Sequence, residues 1–348
     1  MSDGRRSESM GQRLTRRVVS ISAITVAAVV AVALLPLLPL ALLIDVVTGL
    51  SLARAFAVIL WYLLCEVVGV VAAAALWLRR VLQRPTTAAW EAWNYALQAR
   101  WARALFGAAE RCFSLRVDVH GDNACRGGAI VLLSRHASVA DTVLPAVFVA
   151  ARHGVRLRTV LKRELLWDPC LDIVGQRIPN AFVGRDGKDS AGEIAKVEGL
   201  ARSLGDGDGV LIYPEGTRFS PQKLQQVRAK LEAAHSAGRG DPRVRDLAAQ
   251  LTHVLPPQLG GVMAALAAAT TADVVICTHV GFDGIRTFGD LVRGTLVRRH
   301  VRVHFRRLPR AVIPADADAR VGWLLEEWRE VDRQVGAVLA TDGAGRAA

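Results

Sequence analysis

From Val18 to Ile44 the chain runs without a charge, and from Ala55 to Leu78 only Glu66 interrupts a second apolar stretch. Each is long enough to cross the roughly 30 Å hydrocarbon layer as a helix. Pro36 and Pro39 are expected to bend the first, while Asp45, Thr48 and Gly49 mark a turn, so residues 18–80 are predicted to form a transmembrane hairpin. Between Thr86 and Cys112, Trp90, Trp93, Leu97, Trp101, Leu105 and Ala108 recur at three- and four-residue steps. This predicts an amphipathic helix within residues 81–112, lying at the lipid boundary or packed on the following domain.

After Phe113 the period changes. SLRVDVHG alternates, AIVLLS and GVLIYP read as buried strands, LRTVL and AFV as shorter ones, and RRHVRVHFRR as a strand with an apolar and a basic face. Helical patterns stand between them, at TVLPAVFVAARHG, Leu165–Ile173 and Gly192–Leu204, with a last helix from Ala317 to Leu339. Strands interleaved with helices predict an α/β domain over 113–340 with a mixed, largely parallel sheet, followed by a disordered tail at 341–348. GDGDG at 205–209 follows a helix and precedes a strand, the reverse of a phosphate cradle, and reads as a connector. The polar stretch from Gln222 to Gln250 reads as a surface insertion.

Composition agrees with a membrane-attached protein: 52% of residues are hydrophobic, and the excess lies in the first eighty positions. The net charge of +12 is carried largely by arginine and points to anionic partners. Arginines crowd the basic leader at 1–17 and the far end at Arg79, Arg80 and Arg84, while the connecting turn holds only Arg54. Both ends of the hairpin, and the domain that follows, are therefore expected on the cytoplasmic side. A cleaved signal peptide fits poorly, because the apolar run is too long and a second one follows it. No two of the five cysteines have zinc-site or redox spacing. Nucleic-acid binding is not expected, since few aromatics interleave with the charges and no known module surrounds them.

Candidate chemistry centres on AIVLLSRHASVAD. The strand delivers His136 to its tip, and Asp141 follows five positions later. In a continuous helix such a pair would be rotated apart by roughly 140°. His136 is therefore expected before a helix and Asp141 in its first turn, where the dipole favours a carboxylate. A base and its orienting carboxylate is one reading; a surface histidine near an N-cap is the other. Three further stretches place a cation just past a strand: Leu161-Lys162-Arg163, Phe182-Val183-Gly184-Arg185 and Tyr213-Pro214-Glu215-Gly216-Thr217-Arg218. Parallel strands bring such tips to one crevice.

In this order the stretches resemble the glycerolipid acyltransferase family, which includes 1-acylglycerol-3-phosphate and other lysophospholipid acyltransferases. HASVAD is similar to its His-x-x-x-x-Asp motif, FVGR to Phe-x-x-Arg, and YPEGTRFS to Glu-Gly-Thr-Arg. HVLPPQLGG from His253 resembles a fourth motif, His-Leu-Leu-x-Pro-Arg-Thr-x-Gly, with Gln258 and Leu259 where the branch has Arg and Thr. Ser134-Arg135 stands where many relatives place Asn before the histidine. The resemblance implies fatty acyl transfer from acyl-CoA or acyl carrier protein to a lipid hydroxyl, with phosphatidate as product when 1-acylglycerol 3-phosphate is the acceptor. Another lysophospholipid, glycerol 3-phosphate or a non-phosphorylated polar lipid would serve the same chemistry. His136 would act as base, Asp141 as its orienting partner, and Arg185 and Arg218, with Lys162, as phosphate ligands. Gly216 and Thr217 would shape that subsite, and Glu215 would orient Arg218 or an acceptor hydroxyl. Neither a metal nor a cofactor beyond the thioester is expected. The reading from a different class is a non-catalytic basic protein, tethered to the membrane, that binds lipid or nucleic acid.

Overall fold

The computed structural model describes residues 8–184, 190–285 and 287–347. Helix α1 (Met10–Ala33) opens with a capping box between Ser9 and Gln12. A 3₁₀ turn at Leu35–Leu37 follows, where Pro36 and Pro39 remove backbone donors, before α2 (Leu38–Thr48) ends at Gly49 in the left-handed conformation. The Asp45 carboxylate accepts from Leu52 N at 2.6 Å and Ala53 N at 2.9 Å, capping α3 (Leu52–Gln83), which folds back on α1 around Ala28, Ala31 and Leu63. Helices α1 and α3 are long and apolar enough to cross a membrane.

The hairpin is not detached from the rest. Helix α4 (Thr87–Phe113), capped by Thr86, packs along α3 and buries Trp90, Asn94 and Phe106. It also packs on the helical segment at Ala146–Ala151 of the following domain.

Seven strands among the described residues form one sheet: β1 (Arg116–His120), β2 (Ile130–Ser134), β3 (Arg156–Lys162), β4 (Ala181–Val183), β5 (Asp208–Ile212), β6 (Asp273–Val280) and β7 (His300–Leu308). Their order is β1-β7-β6-β2-β5-β3-β4, with every pairing parallel except β6 with β7. The expected mixed, largely parallel sheet is present. Strand β6, whose sequence is DVVICTHV, lies beside β2 in the centre and is not among the strands read from the periodicity.

Helices α5 (Pro169–Ile173), α6 (Ser190–Ala201), α7 (Pro221–Ser236), α8 (Pro242–Gln250), α9 (Leu259–Ala268), α10 (Phe288–Val292) and α11 (Ala317–Ala347) complete the fold. One core unites a sheet face with α6, α8, α9 and α11 around Val197, Leu247, Val262 and Trp328; the other holds α4 and the helical segment at Ala146–Ala151 around Phe113, Phe148 and Phe305. Two expectations are corrected. The 222–250 stretch is no mere surface insertion, since Val244 and Leu247 of α8 join the first core. The backbone from 341 on is not a disordered tail but continues α11 to Ala347.

Both faces of β7 carry an arginine that is paired within the protein. Arg306 pairs with Glu327 of α11, and Arg307 meets Asp273 at 2.7 Å. The GDGDG connector holds β3 in place, with Asp208 pairing Arg156 at 2.7 Å and Arg158 at 2.9 Å.

Candidate active site

Strand β2 is buried over its whole length, and its run-out through Arg135 sets His136 at the sheet's C-terminal edge. A short helical turn at Ala140–Val143 then brings Asp141 back to it, in the split arrangement the spacing predicts. His136 Nδ1 lies 2.8 Å from Asp141 Oδ1, while Asp141 Oδ2 accepts from Ala137 N at 2.6 Å and Ser138 N at 2.7 Å. The carboxylate is therefore fixed by the backbone independently of the ring. Asp141 is 1% exposed and His136 9%, so the pair is screened from bulk water while the imidazole still reaches the surface.

Glu215 is enclosed. It is 1% exposed and its two oxygens take the N–H groups of His136 at 2.8 Å and Leu255 at 2.9 Å, so the expectation that it orients Arg218 or an acceptor hydroxyl is corrected. Its role here is to join the tip of β2 to the fourth motif. Burial pushes its carboxyl up to about 8, against the pull of the Arg135 charge and the two backbone donors. Arg135 likewise turns inward: fully buried, it donates to His279 O at 2.7 Å and His253 O at 3.0 Å and pairs with Asp283 at 2.5 Å.

The motif after β5 lies against His136. Phe219 N donates to His136 O at 2.7 Å, placing Thr217 and Arg218, both half-buried, one turn of chain away. Gly216 has φ +65°, and a Cβ there would stand 2.7 Å from the Gln258 side chain, so the turn requires glycine on both counts. Lys162 ends β3, half-buried, in register with Val183 of β4. Arg185, two residues past that strand, lies outside the described residues. The loop of the fourth motif is held by α11, where Asp332 accepts from the backbone of Thr252, His253 and Val254 and Trp328 donates to Leu255 O.

Two residues that sequence reasoning missed flank the pair. Tyr213 places its ring 4.6 Å from that of His136, with a buried hydroxyl that has no hydrogen-bond partner among the described residues. His279, on the unrecognised β6, donates through Nε2 to Arg135 O at 3.0 Å and stands 3.5 Å from Asp141 Oδ2; burial lowers its pKa and keeps it neutral. Tyr213 was legible near the end of the GVLIYP stretch, one residue past β5. Nothing in the sequence marked His279.

A cleft of about 580 Å³ lies elsewhere, between α4 and β1, lined by Arg103, Phe106, His120 and Phe148. It contains none of the convergent groups just described. A buried carboxylate orienting an imidazole is suited to taking a proton from a weak nucleophile.

Residues 116–280 match the family model described as Acyltransferase. The chain is 22% identical over 250 residues to the 1-acyl-sn-glycerol-3-phosphate acyltransferase epsilon of Mus musculus, covering 64% of this chain. Over residues 116–280, a little under half of its length, the chain is similar to the Acyltransferase family. It is also 23% identical over 208 residues, 56% of its length, to an uncharacterized acyltransferase of Schizosaccharomyces pombe. The chain spans 62% and 55% of the lengths of these two relatives. Its fold is similar to the crystal structure of the 1-acyl-sn-glycerophosphate (LPA) acyltransferase PlsC from Thermotoga maritima. The TM-score is 0.52 at 17% identity, with 83% of this chain and 96% of that one covered.

Proposed function

We propose that this protein transfers a fatty acyl group from acyl-CoA or acyl carrier protein to the free hydroxyl of 1-acylglycerol 3-phosphate, forming phosphatidate. The observation that carries the reading is the 2.8 Å contact of His136 with a carboxylate already fixed by two backbone donors. With Nδ1–H held by Asp141, Nε2 accepts the hydroxyl proton as the alcohol oxygen attacks the thioester carbonyl. The C–S bond then breaks, and the departing thiolate takes the proton back from the imidazolium. General-base assistance of this kind contributes roughly 10²–10⁴-fold. The reaction needs no cofactor beyond the thioester.

Arg218, Lys162 and Arg185 would hold the acceptor phosphate, the guanidinium forks engaging two oxygens at once. Helices α1 and α3 would lie in the membrane, with both ends of the hairpin and the domain on the cytoplasmic side, the side on which arginine is concentrated.

A panel of acceptors tests this with one labelled acyl donor, run with acyl-CoA and with acyl carrier protein. It comprises 1-acylglycerol 3-phosphate, other lysophospholipids, glycerol 3-phosphate and a non-phosphorylated monoacyl lipid. The expected result is preference for the lysophosphatidate and loss of all transfer in His136→Ala with expression and membrane insertion preserved. Near wild-type turnover by the purified variant would remove the assignment.

A further inference from the structure

Outside α1–α3, five large hydrophobic side chains are exposed among the described residues: Val139 at 59%, Leu165 at 38%, Trp167 at 59%, Ile194 at 36% and Val312 at 53%. Four of them share one end of the sheet. Val139 lies between His136 and Asp141 after β2, Leu165 and Trp167 follow Lys162 after β3, and Ile194 lies in α6 after β4; all three strands point the same way. Val312 follows β7, which runs opposite to β6, and so sits at the other end. Single exposed apolar residues scattered over a surface are ordinary; gathering around one site is not.

We propose that Val139, Leu165 and Trp167 form an apolar rim that inserts into the lipid surface, as a membrane contact separate from the α1–α3 hairpin. Continuity with the hairpin identifies the occupant. The segment Arg163–Trp167 packs beside α1. The next residue, Asp168, accepts from Tyr62 of α3 at 2.9 Å, and Asp172 pairs with Arg16 at 3.0 Å and Arg17 at 3.1 Å. Trp167 is thus fixed to the same body whose α1 exposes Leu14 and Val18. Tryptophan has an apolar body with one polar donor, which favours the boundary between hydrocarbon and headgroups. The rim opens the His136 site onto that boundary, so a lipid acceptor passes to the imidazole without entering bulk water.

This inference rests on the acyl-transfer reading for its kinetic arm and not for its binding arm. Full-length protein is placed in phosphatidylcholine–phosphatidylglycerol vesicles containing lipids with a doxyl quencher near the headgroup. The emission difference between wild type and Trp167→Phe isolates Trp167, and it is expected to be quenched; unquenched emission overturns the rim. In the second arm, Leu165→Ser/Trp167→Ser should lower kcat/KM on the order of tenfold for a long-chain acceptor in vesicles. Turnover of a short-chain acceptor dissolved as monomers should stay at the wild-type level. Equal loss on both acceptors would make these side chains part of the reacting pocket, and no loss on either would leave them idle; both results overturn the proposal. A wild-type protein that acylates no acceptor would refute the proposed function alone, since quenching still reads the rim.

Discussion

His279 brings Nε2 to 3.5 Å from Asp141 Oδ2, while the other oxygen of Asp141 holds His136 Nδ1 at 2.8 Å. Asp141 is thus shared between two imidazoles on adjacent strands, one reaching the surface and one wholly enclosed.

In the proposed mechanism, replacing Asp141 by Asn removes the negative charge that would fix the His136 tautomer and balance the imidazolium. Turnover should fall by about 10³–10⁴-fold, as for an orienting carboxylate in histidine-based acyl transfer, with binding of the acceptor little changed. Steady-state kinetics alongside the thermal midpoint in detergent separates this from loss of fold.

His279 makes stability depend on acid. Burial lowers its pKa below the ordinary 6.5, so the unfolded chain takes up a proton near that pH while the folded chain does not. Its contribution is full above about 6.5 and is lost as pH falls through the lowered folded value. Wild type should therefore lose more thermal stability than His279→Asn between neutral and mildly acidic pH, and parallel curves for the two would refute the assignment.

Glu215 acts in the opposite direction. Its carboxyl, pushed from 4.5 to about 8 by burial, stays protonated in the folded chain over a range where the unfolded chain ionises. Its contribution is full below 4.5 and is lost as pH rises through about 8, so Glu215→Gln should flatten the alkaline loss of stability. Glu215→Ala leaves the buried His136 and Leu255 N–H groups without acceptors and should cost about 2–4 kcal/mol in a denaturant titration.

Gly216→Ala should strain the left-handed turn by about 1–2 kcal/mol and press on Gln258, displacing the neighbouring Thr217 and Arg218. The expected kinetic effect is a raised KM for the acceptor. Adding Gln258→Ala should recover part of it by removing the clash while leaving the φ strain, and no recovery would show that the contact with Gln258 is irrelevant.

Arg218→Lys keeps the charge but loses the planar fork. It should raise KM for a phosphorylated acceptor by on the order of tenfold and leave a non-phosphorylated one unaffected. Equal effects on both acceptors would argue against phosphate recognition by Arg218.

Local patterning was sufficient for much of this protein. The two apolar runs, the proline break at Pro36 and Pro39, the strand–helix alternation and the meeting of His136 with Asp141 all follow from spacing over fewer than about thirty residues, where helix and strand geometry alone sets which positions face each other. Tertiary structure decided the rest. Glu215 looked like a site residue because it is charged at a strand tip, yet it turns inward, as Arg135 beside His136 also does, since backbone donors at Leu255 and acceptors at His253 and His279 arrive there from distant parts of the chain. His279 became a neighbour of Asp141 only through the pairing of β6 with β2, and Trp167 a neighbour of α1 only through contacts of Asp168 and Asp172 with the hairpin. The direction of a side chain at a strand end is set by partners remote in sequence, and no local period encodes them.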